Sequence, residues 1–127
     1  MVKSEFFSLE TDPKLACECC KECKIVPELL EKLDLARSIA GVPFTINSGY
    51  RCPAHNAAEG AKPTSSHVGG FAVDIATPSG PARAEILRGL IMAGFERIGI
   101  ARSFIHVDID PEKLNIWGPV SWVYDNK

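Results

Sequence analysis

Residues 65–74 read S-S-H-V-G-G-F-A-V-D. His67 and Asp74 are separated by six residues that include Gly69 and Gly70, and the apolar run Phe71–Val73 enters the Asp. The paired glycines allow a sharp backbone turn, so that the His in the loop and the Asp in the following strand can converge. A second β-type run, F-I-H-V-D at 104–108, carries another His. Residues two apart in a strand share a face, which puts His106 and Asp108 on one side and Ile105, Val107 and Ile109 on the other. An Asp inside an apolar strand needs a partner, either a hydrogen-bond network or a metal ion. Two imidazoles and one carboxylate on strand-like segments make a three-ligand set suited to zinc with one open position.

Outward from this stretch, the chain of 127 residues suits one domain, and 46% apolar residues suffice for a packed core. The net charge is -2 and the pI near 5.9. With no basic excess, neither nucleic acid nor an anionic membrane is an implied partner. No run approaches the ~18 apolar residues that span a bilayer. Residues 1–11 are polar and acidic and lack the apolar core of a signal peptide. Cytoplasmic synthesis is therefore expected, and a target outside the cell requires export or release by other means.

Periodicity predicts a helix over 25–40, with Pro27 in its first turn and Gly41 as its stop. A strand over 44–48 runs into S-G-Y-R, a turn that throws Arg51 off the strand end. The planar guanidinium fork suits a carboxylate, although a surface Arg paired with a structural acid is the ordinary alternative. Residues 52–64 form a loop with a short helical turn near His55, a histidine more suited to capping than to the metal set. A strand over 71–76, a helix over 82–93 ended by Gly94, and strands over 95–100 and 103–109 follow. The tail, with Trp117, Trp122, Val123 and Tyr124, adds an edge strand or packs on the surface. No internal repeat or low-complexity segment is present.

Five cysteines occur, four of them within residues 17–23 (C-E-C-C-K-E-C), and the odd number does not suit a secreted disulfide framework. Cys17 with Cys20, and Cys20 with Cys23, have C-x-x-C spacing. The functional reading is a second metal site at Cys17, Cys20 and Cys23 or a redox pair; the ordinary reading is reduced, partly packed thiols. The division expected within this single domain is an N-terminal segment with this cluster, residues 1–24, ahead of the main body over 25–127.

S-G-Y-R at 48–51, S-x-H-x-x-G-x-A-x-D at 65–74 and H-V-D at 106–108 together resemble the zinc D-Ala-D-Ala carboxypeptidase family. The group includes VanX- and VanY-type enzymes, the L-alanyl-D-glutamate endopeptidases of phage endolysins, and the zinc fold of Hedgehog signalling domains. The likeness spans roughly residues 27–111 and is greatest to the compact single-domain version of phages and bacteria. It implies an α+β fold with a small antiparallel sheet flanked by helices. It implies that His67, Asp74 and His106 hold Zn2+, and that Arg51 and Ser65 contact substrate, Arg51 reaching a peptide carboxylate. The implied substrate is the peptide stem of peptidoglycan, and a monomeric hydrolase is expected. Zinc would lower the pKa of bound water to about 7 and polarise the scissile carbonyl, while a general base moves the proton to the leaving amine.

One departure stands out. Several members carry an acid three residues before the last zinc His, where this chain has Ser103. Asp108 is then the catalytic base expected here, with Glu96 and Asp110 as outside choices; the other reading of Asp108 is an acceptor that orients His106. The missing acid sustains a different class of function, a non-catalytic zinc-bearing module that binds cell wall or protein, including a phage structural part.

Overall fold

The computed structural model describes residues 4–125. A single 3-10 turn, Pro13–Leu15, precedes three helices, α1 (Pro27–Ala40), α2 (Pro53–Ala58) and α3 (Gly80–Met92). The strands are β1 (Ile46–Ser48), β2 (Ala72–Ala76), β3 (Arg97–Ile100), β4 (Phe104–Asp108) and β5 (Val120–Val123), and they form one sheet in the order β1-β2-β4-β3-β5. No helix among the described residues is long and apolar enough to cross a membrane.

The sheet is mixed, a correction to the antiparallel one expected. β1 to β3 and β4 pair antiparallel along the row, but β5 runs parallel to β3 at the edge. Alternation assigns the faces of a strand but not its direction. Here the direction follows from where the strands end: Asp108 at the end of β4 and Val120 at the start of β5 both pair with Arg97 at the start of β3, so the connection across residues 109–119 passes that end of β3 and β5 sets off alongside it. Gly80 and Pro81 also fall inside α3 rather than before it. Ser79 caps the helix, its Oγ accepting from Ala82 N–H at 3.2 Å, and Pro81 lacks only an N–H that the first turn leaves unpaired anyway.

One face of the sheet packs against α1 and α3. Val73 and Ile75 of β2, Ile105 and Val107 of β4, and Ile98 of β3 meet Leu29, Leu30 and Leu33 of α1 and Ile86 and Leu90 of α3 in one core. The two helices approach closely at Gly89, where an added Cβ would lie 2.5 Å from Ala36 O. Phe7, Leu15 and Cys17 from the N-terminal residues belong to the same core. The opposite sheet face is left to polar residues, because period-2 alternation places Asp74, His106, Asp108 and Arg97 there.

Two contacts fix the loops beside that face. Gly70 has φ +77° and sits so close to residue 24 that an added Cβ would fall 1.8 Å from Lys24 O; its own carbonyl accepts from Val26 N–H at 3.0 Å. Gly49 lies against Leu15, and Tyr50 N–H donates to Leu15 O at 3.0 Å. The S-G-Y-R turn is thus moored to the N-terminal residues.

Candidate metal centre

Strand register places the site. Ser48, Asp74, His106, Gly99 and Trp122 face one another in succession across all five strands. The next row runs Ala72, Asp108, Arg97 and Val120. Side chains directly opposite one another on the same sheet face stand within reach, so Asp74 meets His106, and Asp108 meets Arg97. Gly99 leaves room for the neighbouring tryptophan: a Cβ there would lie 2.5 Å from Trp122 Nε1.

His67 comes to the same spot from the loop before β2. Its Nδ1 lies 2.7 Å from Gly49 O, and since a carbonyl only accepts, Nδ1–H donates and the Nε2 lone pair is left facing Asp74 Oδ1 at 3.4 Å. His106 is held the other way round. Its Nε2–H donates to Asp108 Oδ2 at 2.8 Å, and its Nδ1 faces Asp74 Oδ1 at 3.0 Å. One ligand atom from each of His67, Asp74 and His106 lies within 4.8 Å of the others. The hydrogen bond on the far nitrogen of each imidazole fixes which nitrogen a metal would take.

The electrostatics agree. Burial alone would raise the Asp74 carboxyl, but hydrogen bonds and positive charge from His106 and His67 when those rings are protonated outweigh it and hold it well below the usual carboxylate range. Burial opposes charge on His106, yet the hydrogen bonds to Asp108 and Asp74 hold its imidazole above the ordinary value. Asp108 is also brought below its usual range against its burial, by the His106 hydrogen bond, the charges of His106 and Arg97, and the N–H of Asp110.

Arg51, Ser65, Arg97, Lys113, Trp122 and Tyr124 line a cleft of about 410 Å³ together with the ligand set. Arg51 Nη2 donates to Ser65 Oγ at 3.1 Å, and Arg51 Nε is buried without a hydrogen-bond partner. Asp108 is almost fully buried, and both of its oxygens are engaged: Oδ2 by His106, and Oδ1 by Arg97 Nε at 2.8 Å and Asp110 N at 3.2 Å. Arg97 was not singled out from sequence, since only the pairing of β3 with β4 puts it opposite Asp108. Trp122 and Tyr124 belong to the tail; their spacing of two was the available signal that both face the same way.

Among the outside choices, Asp110 accepts from Ser66 Oγ at 2.8 Å and Glu112 N at 3.1 Å, while Glu96 is exposed and lines a different recess beside Ile91 and Ile98. Ser103 is exposed on the β3–β4 connection, where its carbonyl accepts from Thr77 N–H. His55 pairs with Glu59 at 3.4 Å rather than joining the ligand set. Of the cysteines, the thiols that converge are Cys17, Cys19, Cys20 and Cys52; Cys23, expected with Cys17 and Cys20, instead packs against the core.

Two oriented imidazole nitrogens and one carboxylate, with a cleft on the open side, fit zinc by donor type and number. No curated protein matches the chain. The Peptidase M15 family matches residues 5–110, a span that takes in the core, the sheet up to β4 and every residue of the ligand set. On that match the chain belongs to the Peptidase M15 family.

Proposed function

We propose that this chain is a zinc peptidase that hydrolyses the peptide stem of bacterial peptidoglycan. The observation that carries the reading is the placement of Arg51 and Ser65 in one cleft with His67, Asp74 and His106. His67 Nε2, Asp74 and His106 Nδ1 are the atoms that would hold a zinc ion, which when bound would supply a water of lowered pKa and an electrophile for the scissile carbonyl. The protein's own groups do the rest. Arg51 receives a carboxylate of the stem peptide with its planar fork, its Nε being unpartnered. Trp122 and Tyr124 give the cleft an aromatic wall. Asp108, steadied by Arg97, holds the His106 ring in the tautomer that leaves Nδ1 free for metal.

The proton on the attacking water needs an acceptor. The carboxylates on the cleft are Glu59, Asp74 and Asp108. Asp108 takes this role only by giving up one of its hydrogen bonds. Glu59 stands more than half exposed on the rim, paired with His55. Comparison of Asp108→Asn with Glu59→Gln, each at saturating zinc, identifies the base as the one whose kcat collapses.

The engagement of both Asp108 oxygens is the observation that favours the second reading, a zinc-bearing binding module. One experiment separates the two. Zinc-loaded protein is incubated with purified peptidoglycan while new amines and free D-Ala are followed. New amines support the peptidase; accompanying free D-Ala makes it a carboxypeptidase, and amines alone an endopeptidase. Folded, zinc-loaded protein that releases no amine overturns the peptidase in favour of the binding module.

A further inference from the structure

Away from the histidine site, the thiols of Cys17, Cys19, Cys20 and Cys52 gather with all four sulfurs within 4.8 Å of one another. Cys17 Sγ lies 3.5 Å from Cys19 Sγ, and Cys19 Sγ lies 3.2 Å from Cys52 Sγ. These are non-bonded separations, and none of the five cysteines is in a disulfide. A disulfide would need about 2.05 Å. A tetrahedral site with Zn–S bonds of about 2.3 Å has sulfur–sulfur edges of about 3.8 Å, within the spread seen here.

The chain makes this gathering deliberately tight. Cys17 N–H donates to Glu22 O at 2.7 Å and Lys21 N–H to Cys17 O at 2.8 Å, with Lys21 in the left-handed region at φ +64°. That closed turn brings even the adjacent Cys19 and Cys20 to one side. The fourth sulfur arrives from a segment more than thirty residues away, just after Arg51. Two backbone donors point at sulfur: Cys52 N–H to Cys17 Sγ at 3.5 Å and His55 N–H to Cys52 Sγ at 3.4 Å. Such donors stabilise thiolate, the form that binds metal. Cys17 is buried in the core while Cys19 and Cys20 are exposed, so the cluster is anchored within and reachable from solvent.

We infer that Cys17, Cys19, Cys20 and Cys52 form a closed four-thiolate zinc site, separate from the histidine site, that clamps the N-terminal residues to the turn carrying Arg51. Soft thiolates in a tetrahedral set select zinc or iron, and zinc suits a site with no open position and no redox role. As each Zn–S bond forms, the thiol loses its proton to solvent; no electrons move. The clamp sits one step from the cleft, because the same turn presents Gly49 O to His67 Nδ1 and Arg51 N–H to His67 O at 3.2 Å.

The test uses the full chain purified under reductant with zinc. Zinc per chain is measured for wild type, His67→Ala and Cys52→Ser, and the cobalt-substituted proteins are examined for thiolate-to-cobalt charge-transfer absorption. Two zinc ions in wild type, one in each variant, and a cobalt band that survives His67→Ala but not Cys52→Ser are expected. A single zinc in wild type that His67→Ala abolishes overturns the site. So does cobalt-loaded wild type without the thiolate band, a readout that holds even where Cys52→Ser fails to fold. Iron in place of zinc at the thiolates overturns the zinc assignment. None of these readouts depends on peptidase activity.

Discussion

Asp108 shares its carboxylate between a histidine and an arginine, and this arrangement ranks its roles. Oδ2 holds His106 Nε2–H, and Oδ1 is held by Arg97 Nε and Asp110 N. A group fixed in this way is suited to orienting a ligand imidazole. Asp108→Asn is therefore expected to weaken zinc binding about 10- to 100-fold, with most activity returning at saturating zinc. A chelator competition alongside kcat measurement checks this; a collapse of kcat with zinc fully bound would identify Asp108 as the base instead. His106 supplies the pH dependence. Between Asp108 and Asp74 its doubly protonated form persists above the ordinary imidazole value of about 6.5. A metal must displace the proton from Nδ1, so protonation opposes binding. Apparent zinc affinity should fall about tenfold per unit as pH drops below that raised value, and level off above it. Zinc titration against a chromophoric chelator at a series of pH values reads the slope directly.

At the scale of elements, the sheet is a ruler whose rows fix chemistry. β4 supplies His106 and Asp108 on one face and Ile105 and Val107 on the other; this much follows from alternation, and F-I-H-V-D shows it in the sequence. What β4 meets does not follow. Arg97 faces Asp108, and Gly99 faces His106, only because β3 pairs in this register. Gly99 in turn makes space for Trp122 on β5. Gly99→Ala is expected to push the indole out of place, at a cost of about 1–3 kcal/mol from overpacking, and to change the tryptophan near-ultraviolet circular dichroism. The same substitution should raise KM more than it lowers zinc occupancy, because Trp122 lines the cleft and is outside the ligand set. The two main helices were legible in the sequence to within two residues of their observed starts, since an apolar stripe at helical spacing has few other uses.

For the whole molecule, the N-terminal residues are built into the fold. Leu15 is fully buried, packs in the common core, and meets the S-G-Y-R turn through Gly49 and Tyr50. Leu15→Ala is expected to cost about 2–5 kcal/mol, the range for a leucine-sized cavity in a packed core, measured by urea unfolding. Removal of residues 1–24 should leave the remainder unable to unfold cooperatively, because the mooring of Arg51 and the loop at Gly70 would go with them. By itself the sequence pointed to His67, Asp74 and His106 as the candidate ligand set, and it determined the faces of the strands and the positions of the main helices. Those features depend on residue type and on periods of two and about 3.6, which are local. Only the tertiary structure decided the parallel edge strand, the pairing of Arg97 with Asp108, the aromatic wall from the tail, and the choice of Cys52 over Cys23 beside Cys17. Each of these joins residues far apart in the chain, and packing rather than spacing sets the distance between them.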